Sequence, residues 1–229
     1  MSFMESKISE FCKLVKSVGE WSKRNFGEQT DGKLVLGRFA PLLGLVEEIG
    51  ELSSSYQVKD GLDSIADIHI YLCDYIARAT DFDDEQIAEI GRLIFKKLSR
   101  ADELLNENNS CDDLWEFDSD LVSAVGRLYH VELKRLQGIR GFHCDECYRS
   151  RRNHAILNVV HNLQKSISDY RVDAWLLASI VFDEVVSKRN WAIAPNTGET
   201  DGVDGDSDSS GDNCDEWEAV VPERPPIGL

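Results

Sequence analysis

The stretch LVEEIGELSSS, residues 45–55, places three glutamates inside an apolar segment. Its leucines, valine and isoleucine recur three and four residues apart, which is the spacing of one face of a helix. Glu48 and Glu51 therefore share a face, and Glu47 joins Glu51 through the four-residue spacing. Like charges at these spacings destabilise a bare helix, so we expect a partner that neutralises them.

The sequence around this stretch predicts an all-α fold. Four amphipathic patterns follow one another, each with apolar residues at helical spacing. The first is SKISEFCKLVKSVGEWSKRNF, residues 6–26, and the second begins near Pro41 and continues past Leu52. LDSIADIHIYLCDYIARA, residues 62–79, is the third. The fourth opens at a run of acidic residues, which suit a helix N-terminus, and continues to Leu98.

A similar sequence restarts after residues 107–113. LVSAVGRLYH, residues 121–130, matches LVEEIGELSS, residues 45–54, in its apolar positions and its glycine, and residues 155–173 and 182–190 match the third and fourth patterns. Internal duplication is one interpretation, and the general likeness of amphipathic helices is the other. In the second copy the three glutamates Glu47, Glu48 and Glu51 are replaced by Ser123, Ala124 and Arg127.

The predicted organisation is a helical domain at 1–107 with the acidic site, a second, degenerate helical domain at 108–195, and a disordered acidic tail at 196–229. The tail has ten Asp or Glu and one Arg, a balance of −9 out of the net −17 of the chain. This charge argues against nucleic-acid binding. The sequence has no apolar run long enough for a membrane span and no apparent export signal, so we expect a cytoplasmic protein with reduced cysteines.

A second acidic pair lies on the third predicted helix. Asp63 and Asp67 are four residues apart within DSIADIHIYL, a segment too apolar for a surface helix. Mg²⁺ takes hard oxygen ligands and keeps positions for water and phosphate. Two facing helices with such acids would suit Mg²⁺ beside a triphosphate. A solvated helix face is the ordinary explanation for ExxE alone.

VEEIGEL followed by DSIADIHIYLCDYI resembles the MazG-like all-α nucleoside triphosphate pyrophosphatases, which include the related dimeric dUTPases. The resemblance covers roughly residues 8–104, with a fainter echo over 118–191. It implies a helical bundle, commonly a dimer or tetramer, that uses Mg²⁺ to hydrolyse a nucleoside triphosphate to its monophosphate and pyrophosphate. A homodimer is therefore possible, and no nucleic-acid or membrane partner is expected.

The resemblance also implies site residues. Glu48 and Glu51 match the ExxE acids of the family, Glu47 matches the acid before them, and Asp67 matches the last acid of ExxD. The first ExxD position is Ser64 here, and Asp63 is the alternative carboxylate. The predicted metal ligands are Glu48, Glu51, Asp63 and Asp67. The predicted catalytic residues are Glu47, Glu48, Glu51 and Asp67, with Glu47 as general base.

Five further residues are candidates for contacts with substrate. Lys96, Lys97 and Arg100 could bind phosphates, although a basic helix end is equally explained by the helix dipole. Trp21 and Asn25 are candidates for the base, and a core role is the other explanation for Trp21.

Two competing functions stay open. A regulatory or nucleotide-binding protein could keep the bundle after losing catalysis, which Ser64 favours. A purely structural protein would tolerate alanine at all three glutamates. The sequence leaves undecided whether Cys144 and Cys147 bind a metal, and it predicts a solvated helix start around the basic cluster at 149–152.

Overall fold

The computed structural model describes residues 2–26, 37–105, 119–139, 142, 144–167 and 172–188, and of residues 100–105, 119, 166 and 188 it describes the backbone alone. Every regular element in these ranges is an α-helix, so the predicted all-α fold is confirmed. None of these helices combines the length and apolarity that a membrane span requires. In chain order they are α1 (Phe3–Phe26), α2 (Phe39–Ser54), α3 (Val58–Ala79), α4 (Asp84–Leu105), α5 (Ser119–Leu136), α6 (Asp145–Ser166) and α7 (Ala174–Lys188).

The four helices predicted in the first half are present with longer ends. Pro41 lies in the first turn of α2, where its missing N–H leaves no hydrogen bond unmade. α3 begins at Val58, before the apolar pattern, and α4 continues to Leu105. The extra residues are mostly polar or exposed, and an apolar pattern gives no signal for them.

All seven helices contribute side chains to a common hydrophobic core. α3 lies at its centre, where every residue from 72 to 79 is buried. It packs against α1, α2 and α7, and α4 packs against α1 and α6. The predicted domain boundaries at residues 107 and 195 stay predictions, and the predicted disordered tail at 196–229 lies outside the described residues.

Trp175 of α7 is where the late part of the chain meets three early helices. Its ring centroid lies 5.1 Å from that of Phe11 on α1, 6.4 Å from that of Phe95 on α4 and 4.6 Å from the ring of His69 on α3. Burial lowers the pKa of His69 to about 4. Its ring is therefore neutral, and its Nδ1 is 2.8 Å from the carbonyl oxygen of Ile65.

Candidate functional site

Helices α2 and α3 approach closely at Gly44. A Cβ atom at this position would lie 2.3 Å from Cε1 of Tyr71, so the tyrosine ring fills the space that a side chain would need. Tyr71 is half-buried, and its pKa is raised by burial and then by the charges of Glu48 and Glu47. The close contact thus sets the acids of α2 beside α3.

Three of the carboxylates predicted to form the site act electrostatically on a fourth, Glu48. Glu48 is half-buried, whereas Glu47 and Glu51 are exposed. Partial burial raises the pKa of Glu48 from 4.5 to about 7, and repulsion from Asp67 of α3, from Glu51 and from Glu47 adds to the effect. The structure therefore brings together four of the predicted acids, with Glu48 at the centre.

Asp63 and Ser64 of α3 do not belong to this group of interacting acids. Asp63 is exposed and is not among the carboxylates that shift the pKa of Glu48. Ser64 is buried, with only 4% of its surface exposed. The position that would carry glutamate in the ExxD motif is therefore occupied by a small core residue, and the carboxylates that act on Glu48 come from Asp67 and α2.

The donor set fits a hard divalent cation in its chemistry. Carboxylate oxygens are ligands that Mg²⁺ prefers, and a cation would relieve the mutual repulsion around Glu48. Within the described ranges, no three His, Cys, Asp or Glu side chains already form a ready-made metal site. Adjustment of the exposed Glu47 and Glu51 side chains would be needed to close their oxygens around an ion.

Trp21 and Asn25, the candidates for base recognition, are engaged inside the bundle. The ring of Trp21 is half-buried and meets Phe26 at 5.5 Å and Phe182 of α7 at 5.9 Å, both edge-on. Asn25 donates from Nδ2 to the carbonyl oxygen of Trp21 at 2.8 Å. These contacts favour the core role of Trp21 over stacking on a base.

The candidates for phosphate binding on α4 differ from one another. Lys96 is exposed. Lys97 is half-buried, and its Nζ lies 3.3 Å from the carbonyl oxygen of Leu157 and 3.5 Å from Oδ1 of Asn158, both on α6. Its pKa is lowered by burial. Lys97 thus has a packing role between α4 and α6, and the side chain of Arg100 lies outside the described residues.

Asp74, two turns beyond Asp67, belongs to a buried ion pair instead of the acidic site. Arg78 donates from Nε to its Oδ1 at 2.8 Å, and the Ser22 hydroxyl of α1 donates to its Oδ2 at 2.7 Å. Arg78 also donates to the Ser22 oxygen at 2.9 Å. Burial raises the pKa of Asp74, and the two partners oppose that shift.

A polar network that the sequence did not predict lies at the opposite ends of α2 and α3. Glu132 of α5 is buried, and its Oε1 accepts hydrogen bonds of 2.6 Å from the hydroxyls of Tyr75 and Tyr148. Arg38 donates to the Tyr148 oxygen at 2.7 Å. Arg152 is only 1% exposed, so the predicted solvated helix start is wrong for this residue, although Arg149 and Arg151 are exposed. Helical spacing did not predict this burial, because Ala79 and Gln86, which accept hydrogen bonds from Arg152, belong to other helices.

The CxxC segment caps α6. Sγ of Cys144 accepts a hydrogen bond from the backbone N–H of Cys147 at 3.2 Å, as an N-cap does. Interaction between the two thiols lowers the pKa of Cys144 and raises the pKa of Cys147. Both are free thiols, as are Cys12 and Cys73. Cys111 and Cys214 lie outside the described residues.

Two features with opposite charge are therefore available for function: the acids around Glu48, and the arginine-rich network around Tyr148. Comparisons of the chain with protein-family models, with curated proteins and with solved structures give no match. The interpretation of both features accordingly rests on the residues themselves.

Proposed function

We propose that the chain is a Mg²⁺-dependent nucleoside triphosphate pyrophosphatase that hydrolyses an NTP or dNTP to the monophosphate and pyrophosphate. The observation that carries the proposal is the convergence of Glu48 with Asp67, Glu51 and Glu47 between α2 and α3. It is supported by the resemblance of these two helices to the MazG-like family. The all-α architecture agrees with that resemblance.

In this proposal Glu48, Glu51 and Asp67 hold the metal, with Asp63 as a further candidate ligand. Mg²⁺ bound there would neutralise phosphate charge and orient the triphosphate. Glu48 must first lose its proton, and its partial burial and the three neighbouring acids make that loss less favourable than for a free carboxyl group until a cation is present. Glu47 is exposed beside it, where it can accept a proton from water as general base.

The proposed internal duplication gains support from burial at matched positions. Leu45 of α2 and Leu121 of α5 are buried, whereas Val46 and Val122 are 49% and 44% exposed. A Cβ atom added at Gly50 or at Gly126 would meet open space. The helix contacts repeat as well. The pair α2 and α3 corresponds to the pair α5 and α6, and the contact of α3 with α7 corresponds to the contact of α6 with α4. The second half would then be a scaffold without the acids.

A catalytically lapsed nucleotide-binding protein is the second candidate. Buried Ser64 favours it, because the first ExxD position contributes no carboxylate. Its expected behaviour is metal-dependent binding of a nucleotide without turnover. For a purely structural protein we expect neither binding nor turnover. Substitution of Glu48 should then be tolerated.

Pyrophosphate release from each common NTP and dNTP, with and without Mg²⁺, tests the proposal. The variants are Glu48→Gln and Asp67→Asn, which remove charge with little change of volume. Glu89→Gln, an exposed position on α4, is the matched control. We expect release that requires Mg²⁺, is lost in both site variants and is unchanged in the control.

Absence of release from every nucleotide would contradict catalysis on these substrates. Calorimetry with each nucleotide and Mg²⁺ then separates the alternatives: binding lost in Asp67→Asn supports the lapsed protein, and no binding supports the structural one. Light scattering after gel filtration measures the predicted homodimer.

A further inference from the structure

A cavity of about 680 Å³ lies away from the acidic site. It opens where the ends of α1, α3 and α5 meet the starts of α2 and α6. Arg38 precedes Glu48 by ten residues and Ala79 follows Asp67 by twelve, which along a helix corresponds to about 15 Å and about 18 Å. The volume is in the range of cavities that hold small organic ligands, roughly 300–1,000 Å³.

The cavity is lined by more positive than negative side chains. The carboxylates in its wall are Asp81, Glu132 and Asp145. Asp145 forms an ion pair with Arg135, and Asp81 lies 4.0 Å from the guanidinium of Arg38, although the side chains of Asp81 and Asp145 are 87% and 78% exposed. The cations in its wall are Lys23, Arg38, Arg78, Arg135, Arg149 and Arg152.

These side chains give an excess of three positive charges in the wall, and the ion pair of Arg78 with Asp74 behind the wall offsets one of them. This excess occurs in a chain with a net charge of −17. A concave, partly buried site of one sign concentrates ligands of the opposite sign. The cavity is therefore suited to an anion.

Three guanidinium groups are held in place around the ring of Tyr148. The guanidinium carbons of Arg38, Arg135 and Arg152 lie 5.9, 5.1 and 5.6 Å from its centroid. The ring is anchored in turn by the hydrogen bond from its hydroxyl to buried Glu132. Donors fixed in this way lose little side-chain entropy when an anion binds.

Arg152 adds a separate argument. In the described structure its hydrogen bonds go to neutral acceptors: the carbonyl oxygen of Ala79, Oε1 of Gln86 and Oδ1 of Asn153. The guanidinium is only 1% exposed and has no carboxylate among these hydrogen-bond partners, although buried Glu132 lies in the same network through Tyr148. Burial of a charge is costly, and an anion in the adjoining cavity would offset part of that cost.

We propose that this cavity binds a small molecule through a doubly charged phosphate group. Arginine forks match phosphate oxygens, and a phosphate monoester carries close to two charges near neutral pH. Phe39, Phe82 and Leu136 supply apolar wall for the organic part of the ligand. The site is independent of the pyrophosphatase proposal, because it contains none of the metal-binding acids.

Calorimetric titration of the full chain with inorganic phosphate, without divalent cations, tests the site, and citrate is the comparison for carboxylate anions. We expect saturable one-to-one binding of phosphate in the wild type and in Glu48→Gln. Arg149→Glu should weaken it about tenfold or more, the equivalent of one lost charge-assisted hydrogen bond. Arg149 is exposed, so the fold should survive.

Arg127→Glu is the matched control, since it makes the same charge change at an exposed position of α5 outside the cavity. We expect its phosphate affinity to stay within about twofold of the wild type, because only screened long-range charge is altered. Three results would overturn the proposal: no saturable phosphate binding, equal weakening in both arginine variants, or citrate binding as tight as phosphate. Loss of binding in Glu48→Gln would instead assign phosphate to the acidic site.

Discussion

Glu48 of α2 is partly buried opposite Asp67 of α3, and its burial together with repulsion from Asp67 raises the pKa of Glu48 to about 7. The folded state therefore holds the Glu48 proton more tightly than the unfolded chain, in which the pKa of Glu48 is near 4.5. The contribution of Glu48 to stability is fully present below pH 4.5 and is lost as the pH rises through 7.

We accordingly expect Glu48→Gln to raise the free energy of unfolding at pH 8 and to change it little at pH 4. The gain at pH 8 should be about 1 kcal/mol, below the full linkage value because the side chain keeps much of its contact with solvent. Urea unfolding at both pH values measures it. Equal effects at both pH values would show that ionisation of Glu48 is not the cause, and Glu89→Gln serves as control.

Mg²⁺ should stabilise the wild-type fold if the proposed metal site exists. At a concentration about ten times its Kd, a ligand that binds only the folded state adds about 1.4 kcal/mol to the free energy of unfolding. The gain should be larger at pH 8 than at pH 6, because Glu48 must be deprotonated to bind. Thermal unfolding of the wild type and of Asp67→Asn, with and without Mg²⁺, measures it; an equal gain in both proteins would contradict binding at this site.

Gly19 is required by the contact between α1 and α3. A Cβ atom there would lie 2.4 Å from Cβ of Ala77 and 2.8 Å from Cε1 of Phe82. Ala77 cannot rotate away, so Gly19→Ala should lower the free energy of unfolding by about 1–3 kcal/mol. Gly126→Ala is the control, since its Cβ would meet open space and alanine favours the helix by about 0.5–1 kcal/mol. Opposite signs in denaturant unfolding are expected, and stabilisation by both would refute the close contact.

The hydroxyl of Tyr75 should contribute measurably to stability. It is buried and donates to Glu132 at 2.6 Å. Tyr75→Phe leaves the carboxylate with one donor fewer and should cost about 1–3 kcal/mol. Tyr56→Phe, at a side chain that is 96% exposed, should change the free energy of unfolding by less than about 0.5 kcal/mol. Similar small effects of both in urea unfolding would show that the buried network is not formed in solution.

The thiols should differ in reactivity. The pKa of Cys144 is lowered by interaction with the Cys147 thiol, whereas burial raises the pKa of Cys73. Brief treatment of the folded protein with iodoacetamide at pH 7.5 should therefore label Cys144 ahead of Cys73, as followed by peptide mass spectrometry. Denaturation should make Cys73 reactive. Equal labelling of the two in the folded state would contradict the burial of Cys73.

The helices of the first half were predictable because their apolar residues recur at helical spacing. The acids of α2 were also predictable as a group, since spacing alone sets Glu48 and Glu51 on one face. Their proximity to Asp67 depended on how α2 and α3 pack, for which the resemblance to a known family was the guide. Spacing also could not show that Ser64 would be buried while Asp63 is exposed.

The network around Tyr148 was not predictable from spacing. Glu132 and Arg152 are charged residues, which in a helix usually indicate a solvated face. Their burial comes from partners distant in sequence: Tyr75 lies 57 residues before Glu132, and Ala79 lies 73 residues before Arg152. Only the tertiary contacts reveal such a pairing, and the cavity that these residues line was missed with them.

The position of Trp175 also has a consequence for biosynthesis. The ribosome releases α1, α3 and α4 well before it translates this residue, and until then the edges of Phe11, His69 and Phe95 lack the ring that covers them. We therefore expect the nascent chain to pass through a stage in which an apolar surface of its first helices is exposed to chaperones and to other nascent chains. That exposure should end only when α7, the last of the described helices, has emerged from the ribosome and packed its Trp175 ring against them.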